Sequence, residues 1–285
     1  MLTMQLNDFY NYTAQHQRDK TLIKLIPSKL HSMHMPLTFS IITCTWNSAQ
    51  FLDEAIASIL AQDYPYIEMI FVDGGSTDGT LEKIRSLSRP HQLIENIRGG
   101  VSNAMNVGIR HATGDVIAHL HSDDYYLSPY VLSKVAQQFE SNGCAWIFGR
   151  IMQEKSGVLH PENFKAPVFS YAELLKRNFI PHPATFIRRE LILRTQGFDA
   201  NLKYAMDYDL WLQIAQQEKP AQLEEALAVF RVHGGSLSSS NVLAAMQEDY
   251  AVRIRHVNTN PFVRAMHYLR YLVRRHRAIQ AGAQA

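Results

Sequence analysis

The sequence predicts an α/β fold: a mostly parallel central sheet flanked by helices, followed by a C-terminal helical extension. Three observations carry that prediction. Short apolar runs rich in β-branched residues alternate with segments of three-to-four periodicity, which implies right-handed strand-helix-strand crossovers. Polar residues gather where those runs end, the position at which open α/β sheets hold ligands. A chain of 285 residues, 46% hydrophobic and 19% charged, is long enough to bury a substantial core.

The elements follow in order from Phe39. FSIITCTW reads as a strand covered on both faces, after which Asn47 or Ser48 caps a helix bearing Phe51, Leu52, Ala55, Ile56, Ile59 and Leu60. The strand IEMIFV ends in the turn Asp73-Gly74-Gly75-Ser76-Thr77-Asp78, and Leu81, Ile84 and Leu87 mark the next helix. The unit repeats with QLIE, the turn Arg98-Gly99-Gly100, a helix with Ala104, Met105, Gly108 and Ile109, and the strand DVIAHL. A helix after Ser128-Pro129 and the strand CAWIFGR close this half. Beyond residue 150 the alternation fades into loops, short helices and a strand near ALAVFRV. Four segments are expected: an N-terminal extension over 1–36, a first half over 37–150, a second half over 151–240 and a C-terminal helical segment over 241–285.

Lys and Arg number 28 against 26 Asp and Glu, so net charge points to no nucleic-acid partner. Cys44 and Cys144 lie in apolar runs without metal-binding spacing and read as reduced core residues, which fits a cytoplasmic protein. No run reaches the ~20 apolar residues of a membrane span, and the N-terminus lacks the apolar centre of a signal peptide.

The strongest chemical feature is HLHSDDYY, a strand running into Asp123 and Asp124. Adjacent carboxylates repel unless solvated, hydrogen-bonded or bridged by a cation, so this is either a solvated turn before Pro129 or a Mg²⁺ or Mn²⁺ site. In FVDGGSTDGT, Gly74 and Gly75 allow a sharp turn and close approach to a ligand, and Asp73 either belongs to an ordinary turn or accepts hydrogen bonds from a nucleoside. Neither a GxxxxGK[ST] loop nor a full GxGxxG is present. YAMDYDLWLQIA places Asp207 and Asp209 at a helix start, where one of them serves as a cap.

Taken in order, SIITCTWNSAQFLDEAIASILAQDY, FVDGGSTDGT, GGVSNAMNVGIRHATGD and HSDD resemble the nucleotide-sugar half of family 2 glycosyltransferases, over roughly residues 38 to 235. The resemblance implies a GT-A fold, Rossmann-like in its central sheet, and sugar transfer with inversion. It implies that Thr43, Thr45 and Asp73 hold the nucleoside and that Arg98 contacts the diphosphate or base. It assigns the Asp-Asp element to diphosphate and metal, with Asp123 on the nucleotide sugar, Asp124 and His233 on Mg²⁺ or Mn²⁺, and Asp207 as general base. Asn103, His121 and Met206 depart from the pattern, Met206 standing where a Glu is usual. Asp209 is the rival base, while His182 and Arg231 fit more softly.

The implied partners are a nucleotide-diphosphate sugar, with a UDP-sugar the leading expectation, and a saccharide or lipid-linked acceptor. A surface polysaccharide or glycolipid is the expected product. A catalytically silent nucleotide-sugar-binding module is the alternative. In PFVRAMHYLRYLVRRHRAI, Phe262, Ala265, Met266, Leu269, Leu272 and Val273 share one helical face and Arg264, His267, Arg270, Arg274 and Arg277 another. Such a helix either lies on anionic lipid at the inner face of the membrane or docks on the domain with a solvated basic edge.

Overall fold

Strand β1 (Phe39–Thr45) is buried along its whole length, as its unbroken apolar run requires. In the computed structural model it pairs in parallel with β2 (Ile67–Asp73) and with β4 (Val116–His119), and β2 pairs in parallel with β3 (Gln92–Ile94). Helices α1 (Leu52–Leu60), α2 (Thr80–Arg85) and α3 (Gly100–His111) make the crossovers. The order β3-β2-β1-β4 reverses at β1, so a crevice opens beyond the carboxyl ends of β1 and β4. The structure describes residues 35–162, 164–233, 241–257 and 259–282. The expected N-terminal extension lies, through residue 34, outside the described residues, as does the sequence GGSLSSS over 234–240.

The remaining strands pair differently. β8 (Thr185–Arg188) is antiparallel to β4, and β6 (Trp146–Lys155) is antiparallel to β8. β9 (Ala221–Val232) runs parallel to β6, while β5 (Tyr125–Tyr126) lies antiparallel on β9. β7 (Val158–Pro161) folds back on β6 through Ser156 and Gly157, whose φ of 51° and 78° suit a tight hairpin. The sheet is therefore parallel in its first four strands and mixed beyond them.

Alternate residues of β1 feed cores on the two faces. Ile42 joins Ile70, Met105, Trp146 and Trp211 on one, and Ile41 joins Leu52, Phe71, Phe139 and Phe186 on the other. Helix α1 starts later than the sequence suggests, at Leu52, because Asn47 adopts a positive φ of 49° and its side chain accepts from the Thr77 N–H at 2.9 Å. Asn47 thus ties two loops together instead of capping the helix.

Helix α4 (Val131–Asn142) closes the first half, and two short helices follow in the second: α5 (Tyr171–Leu174) and α6 (Arg189–Ile192). Helix α7 (Met206–Ala215) is followed after β9 by α8 (Val242–His256) and α9 (Pro261–Gly282). The Glu248 carboxylate on α8 accepts from the backbone N–H groups of Lys203, Tyr204 and Ala205, fixing the approach to α7. Buried Arg253 donates to Asp249 at 2.8 Å and to the Tyr208 hydroxyl at 3.3 Å.

Helix α9 packs with its polar face inwards, the reverse of the docked alternative with a solvated basic edge. His267 is buried, Arg270 and Arg274 are partly buried, and Phe262, Leu269 and Val273 are 83%, 62% and 51% exposed. Polar contacts available on α8 explain the choice: Arg274 reaches Asp249 at 3.6 Å, and the Tyr271 ring stacks on Tyr250.

Candidate active site

The parallel register sets Thr45 opposite Asp73 at the ends of β1 and β2. The Thr45 hydroxyl donates to Asp73 Oδ1 at 2.8 Å, and the N–H groups of Gly75 and Ser76 donate to Oδ2 at 2.7 and 2.8 Å. The Ser76 hydroxyl adds a fourth bond. Burial alone would raise the Asp73 carboxyl, but the hydrogen bonds from Ser76, Thr45 and Gly75 outweigh it and hold the group below its ordinary value. Asp73 is thus a fixed anion that organises its turn. It is fully buried, Thr45 nearly so, and the Thr43 hydroxyl is buried without a partner.

The surface above them is made by other residues. Trp46 is 67% exposed and lies beside Gly74, where an added Cβ would come 3.3 Å from its ring. At Gly75, with φ of 93°, an added Cβ would come 2.6 Å from the Arg98 guanidinium. Arg98 is brought there because the Ile97 N–H donates to the Asp73 carbonyl at 2.9 Å. Sequence reasoning missed Trp46; its signal was an aromatic residue immediately past a strand end, where apolar burial stops.

The acidic pair sits in the turn between β4 and β5. Because β5 pairs with β9, the turn meets the end of β9, 107 to 110 residues away. Asp124 is buried, and its Oδ1 accepts from the Arg231 N–H at 3.0 Å while Oδ2 has no partner. Burial and then the neighbouring Asp123 charge push the Asp124 carboxyl upwards. The His233 Nε2 lies 2.9 Å from Asp123 Oδ2, so the structure brings His233 to Asp123 rather than to Asp124. Below them Arg231 pairs with Glu54 and with Glu154 and lies over the rings of Phe51 and Tyr125.

Among the described residues no group of three or more His, Cys, Asp or Glu is placed to hold a metal ion by itself. Asp123, His233 and the unpartnered Asp124 Oδ2 nevertheless suit a hard divalent cation that takes few protein ligands and completes its shell with substrate oxygens. The donor set fits such an ion.

Three histidines pack beneath this end of β4. The His182 ring lies 5.3 Å from His119 and 4.9 Å from His121, with Phe198 and Trp211 against it. Burial lowers all three below the ordinary histidine range, His119 to about 3. They are neutral packing groups at neutral pH.

Asp207 stands in the first turn of α7, half-buried, in a cavity of about 200 Å³ lined also by Asn178, Tyr204, Asp249 and Arg274. Burial raises its carboxyl to about 6; the Tyr208 N–H opposes the shift and the Asp249 charge adds to it. Asn178 Nδ2 donates to it at 3.3 Å. Asp209 is engaged instead: its oxygens meet His256 Nε2 at 3.0 Å and Gln213 Nε2 at 2.7 Å. Met206 is buried in the core, which accounts for an apolar residue at that position.

Comparison with known proteins places this geometry. The family model for Glycosyl transferase family 2 matches residues 40–196, more than half of the 285 residues. The putative teichuronic acid biosynthesis glycosyltransferase TuaG of Bacillus subtilis is 28% identical over 221 residues, covering 75% of this chain and 86% of its own length. S. aureus TarS, solved with UDP-GlcNAc, superposes with a TM-score of 0.64 at 22% identity over 83% of this chain and 72% of that one. The mannosyltransferase PcManGT of Pyrobaculum calidifontis, solved with GDP-Man and Mn²⁺, superposes with a TM-score of 0.64 at 20% identity over 88% of this chain and 76% of its own. With the family match spanning both the Asp73 turn and the Asp123-Asp124 turn on a GT-A sheet, the chain belongs to glycosyl transferase family 2.

Proposed function

We propose that this glycosyltransferase moves a sugar, with inversion, from a UDP-sugar to a hydroxyl of a saccharide or lipid-linked acceptor during synthesis of a surface polysaccharide or glycolipid. The observation that carries the reading is the contrast between a fixed, hydrogen-bonded Asp73 and an Asp207 whose carboxyl is raised to about 6 in an open cavity. Thr43, Thr45 and Asp73 shape the nucleoside end from beneath, and Trp46 and Arg98 offer it an aromatic face and a cation. Asp123, Asp124 and His233 would hold Mg²⁺ or Mn²⁺ with the diphosphate, in keeping with the Mn²⁺ in the PcManGT structure. When bound, that ion offsets the charge developing on the departing nucleoside diphosphate.

Asp207 takes the proton of the acceptor hydroxyl as its oxygen bonds to the anomeric carbon and the bond from that carbon to the phosphate oxygen breaks. Attack opposite the leaving group gives inversion. The two free cysteines, one of them buried, fit a reducing cytoplasm, and no helix among the described residues is long and apolar enough to cross a membrane. We place the enzyme at the cytoplasmic face as a peripheral protein held through α9.

The test is a thermal-shift screen of UDP-, GDP- and dTDP-sugars with Mn²⁺ and with a chelator. A ligand at 100 times its Kd adds about 2.7 kcal/mol to native stability, so a UDP-sugar with Mn²⁺ raises Tm by several degrees and the chelator removes most of the rise. No rise with any nucleotide sugar contradicts the reading. Donor binding without transfer to any acceptor favours a silent binding module.

A further inference from the structure

The helix α9 presents its faces in an unusual order, and this bears on how the enzyme meets a membrane. Its polar side faces the fold: His267 is buried, and Arg274 reaches the Asp249 carboxylate in the cavity that also holds Asp207. Its apolar side faces outwards, with Phe262, Met266, Leu269, Leu272, Val273 and Ile279 all exposed at helical spacing. No Asp or Glu occurs in the 22 residues of the helix. Exposed Arg264 and Arg275 flank the apolar stripe on one side and exposed Arg277 on the other.

A monomer rarely leaves so long an apolar stripe uncovered. Arginines on both edges of such a stripe match a surface that is apolar inside and negative at its rim, which is the interface of an anionic bilayer. The segment lies beyond the family match at residues 40–196.

We propose that the outward face of α9 is a seat on anionic membrane: Phe262, Met266, Leu269 and Val273 enter the acyl boundary, and Arg264, Arg275 and Arg277 lie among the headgroups. Because the opposite face of the same helix supplies Arg274 to the Asp207 cavity, seating α9 holds that cavity beside the lipid surface. The inference rests on the peripheral attachment proposed above, and it specifies the residues and the lipid charge.

The test is flotation of the full chain with vesicles of phosphatidylglycerol and phosphatidylethanolamine, and with neutral phosphatidylcholine vesicles, in the absence of donor and acceptor. The parent is expected to float with the anionic vesicles and to lose partitioning as salt rises. Leu269→Glu with Val273→Glu is expected to abolish partitioning, and Arg275→Ala and Arg277→Ala to weaken it on the order of fivefold each. Both positions of the double variant are exposed, so its Tm and its UDP-sugar binding should equal the parent's, which separates this result from any failure of the active-site reading. Equal partitioning of parent and double variant overturns the proposal. So does a concentration-dependent dimer of the parent that the double variant lacks, since the stripe would then join two copies of the chain.

Discussion

Asp73 and Asp207 are the same residue type in the same molecule, and their surroundings drive them in opposite directions. Asp73 ends a fully paired parallel strand, where the register brings Thr45 and its own turn brings the N–H groups of Gly75 and Ser76. Asp207 begins a helix under a lid of α8 and α9, with Asn178 and Tyr208 as its partners and the Asp249 charge nearby. One carboxylate is held charged and immobile; the other is held ready to take a proton. The comparison teaches that hydrogen bonds at a strand end fix one carboxylate as an anion, while burial beside the C-terminal helices raises the other.

The sharpest way to break that comparison is to neutralise one carboxylate at a time. Asp207→Asn is expected to lower the transfer rate by roughly 10² to 10⁴ while UDP-sugar affinity, measured by calorimetry with Mn²⁺, stays near the parent's. Asp123→Ala is expected to weaken donor binding and rate together, on the order of 10²-fold, and to remove the difference between Mn²⁺ and chelator. A variant at Asp207 that loses donor affinity as strongly as Asp123→Ala erases the division between the regions.

A smaller effect sharpens the receptor side. Trp46→Ala is expected to reduce UDP affinity by about 1–3 kcal/mol, the scale of stacking a base on an aromatic ring, and to leave Tm unchanged because the indole is exposed. Unchanged UDP affinity would remove Trp46 from the nucleoside surface.

A further effect is on stability. A carboxyl raised from 3.8 to about 6 by folding disfavours the native state once it ionises, by up to about 3 kcal/mol. That cost is full above the folded value and absent below the unfolded one. Asp207→Asn should therefore raise Tm near pH 8, with a gain that shrinks as pH falls towards about 4. A gain independent of pH would show that burial does not set the Asp207 charge.

Much of the sheet half was legible because its signals are local. The unbroken run over Phe39–Thr45 marks a strand buried on both sides, and the residues of the Asp73 turn adjoin the strand that positions them. The second half resisted because its partners are remote in sequence. Neither the antiparallel pairing of β8 with β4 nor the meeting of Asp123 with His233 leaves a mark in local periodicity. The pattern of α9 reveals two faces, but which one docks is decided by Asp249 and Tyr250 on another helix. Asp207 and Asp209 look alike in sequence, and only His256 and Gln213 distinguish the engaged carboxylate from the available one.

The central claim, that the cavity under α8 and α9 makes Asp207 the base, is tested most directly by the pH dependence of kcat/KM for the parent, Asp207→Asn and Asp209→Asn. The parent rate should climb about tenfold per pH unit below about 6 and level off above it, as Asp207 loses its proton. Asp209→Asn should keep that limb, and the residual activity of Asp207→Asn should lack it. A limb that survives in Asp207→Asn and disappears in Asp209→Asn would contradict the account.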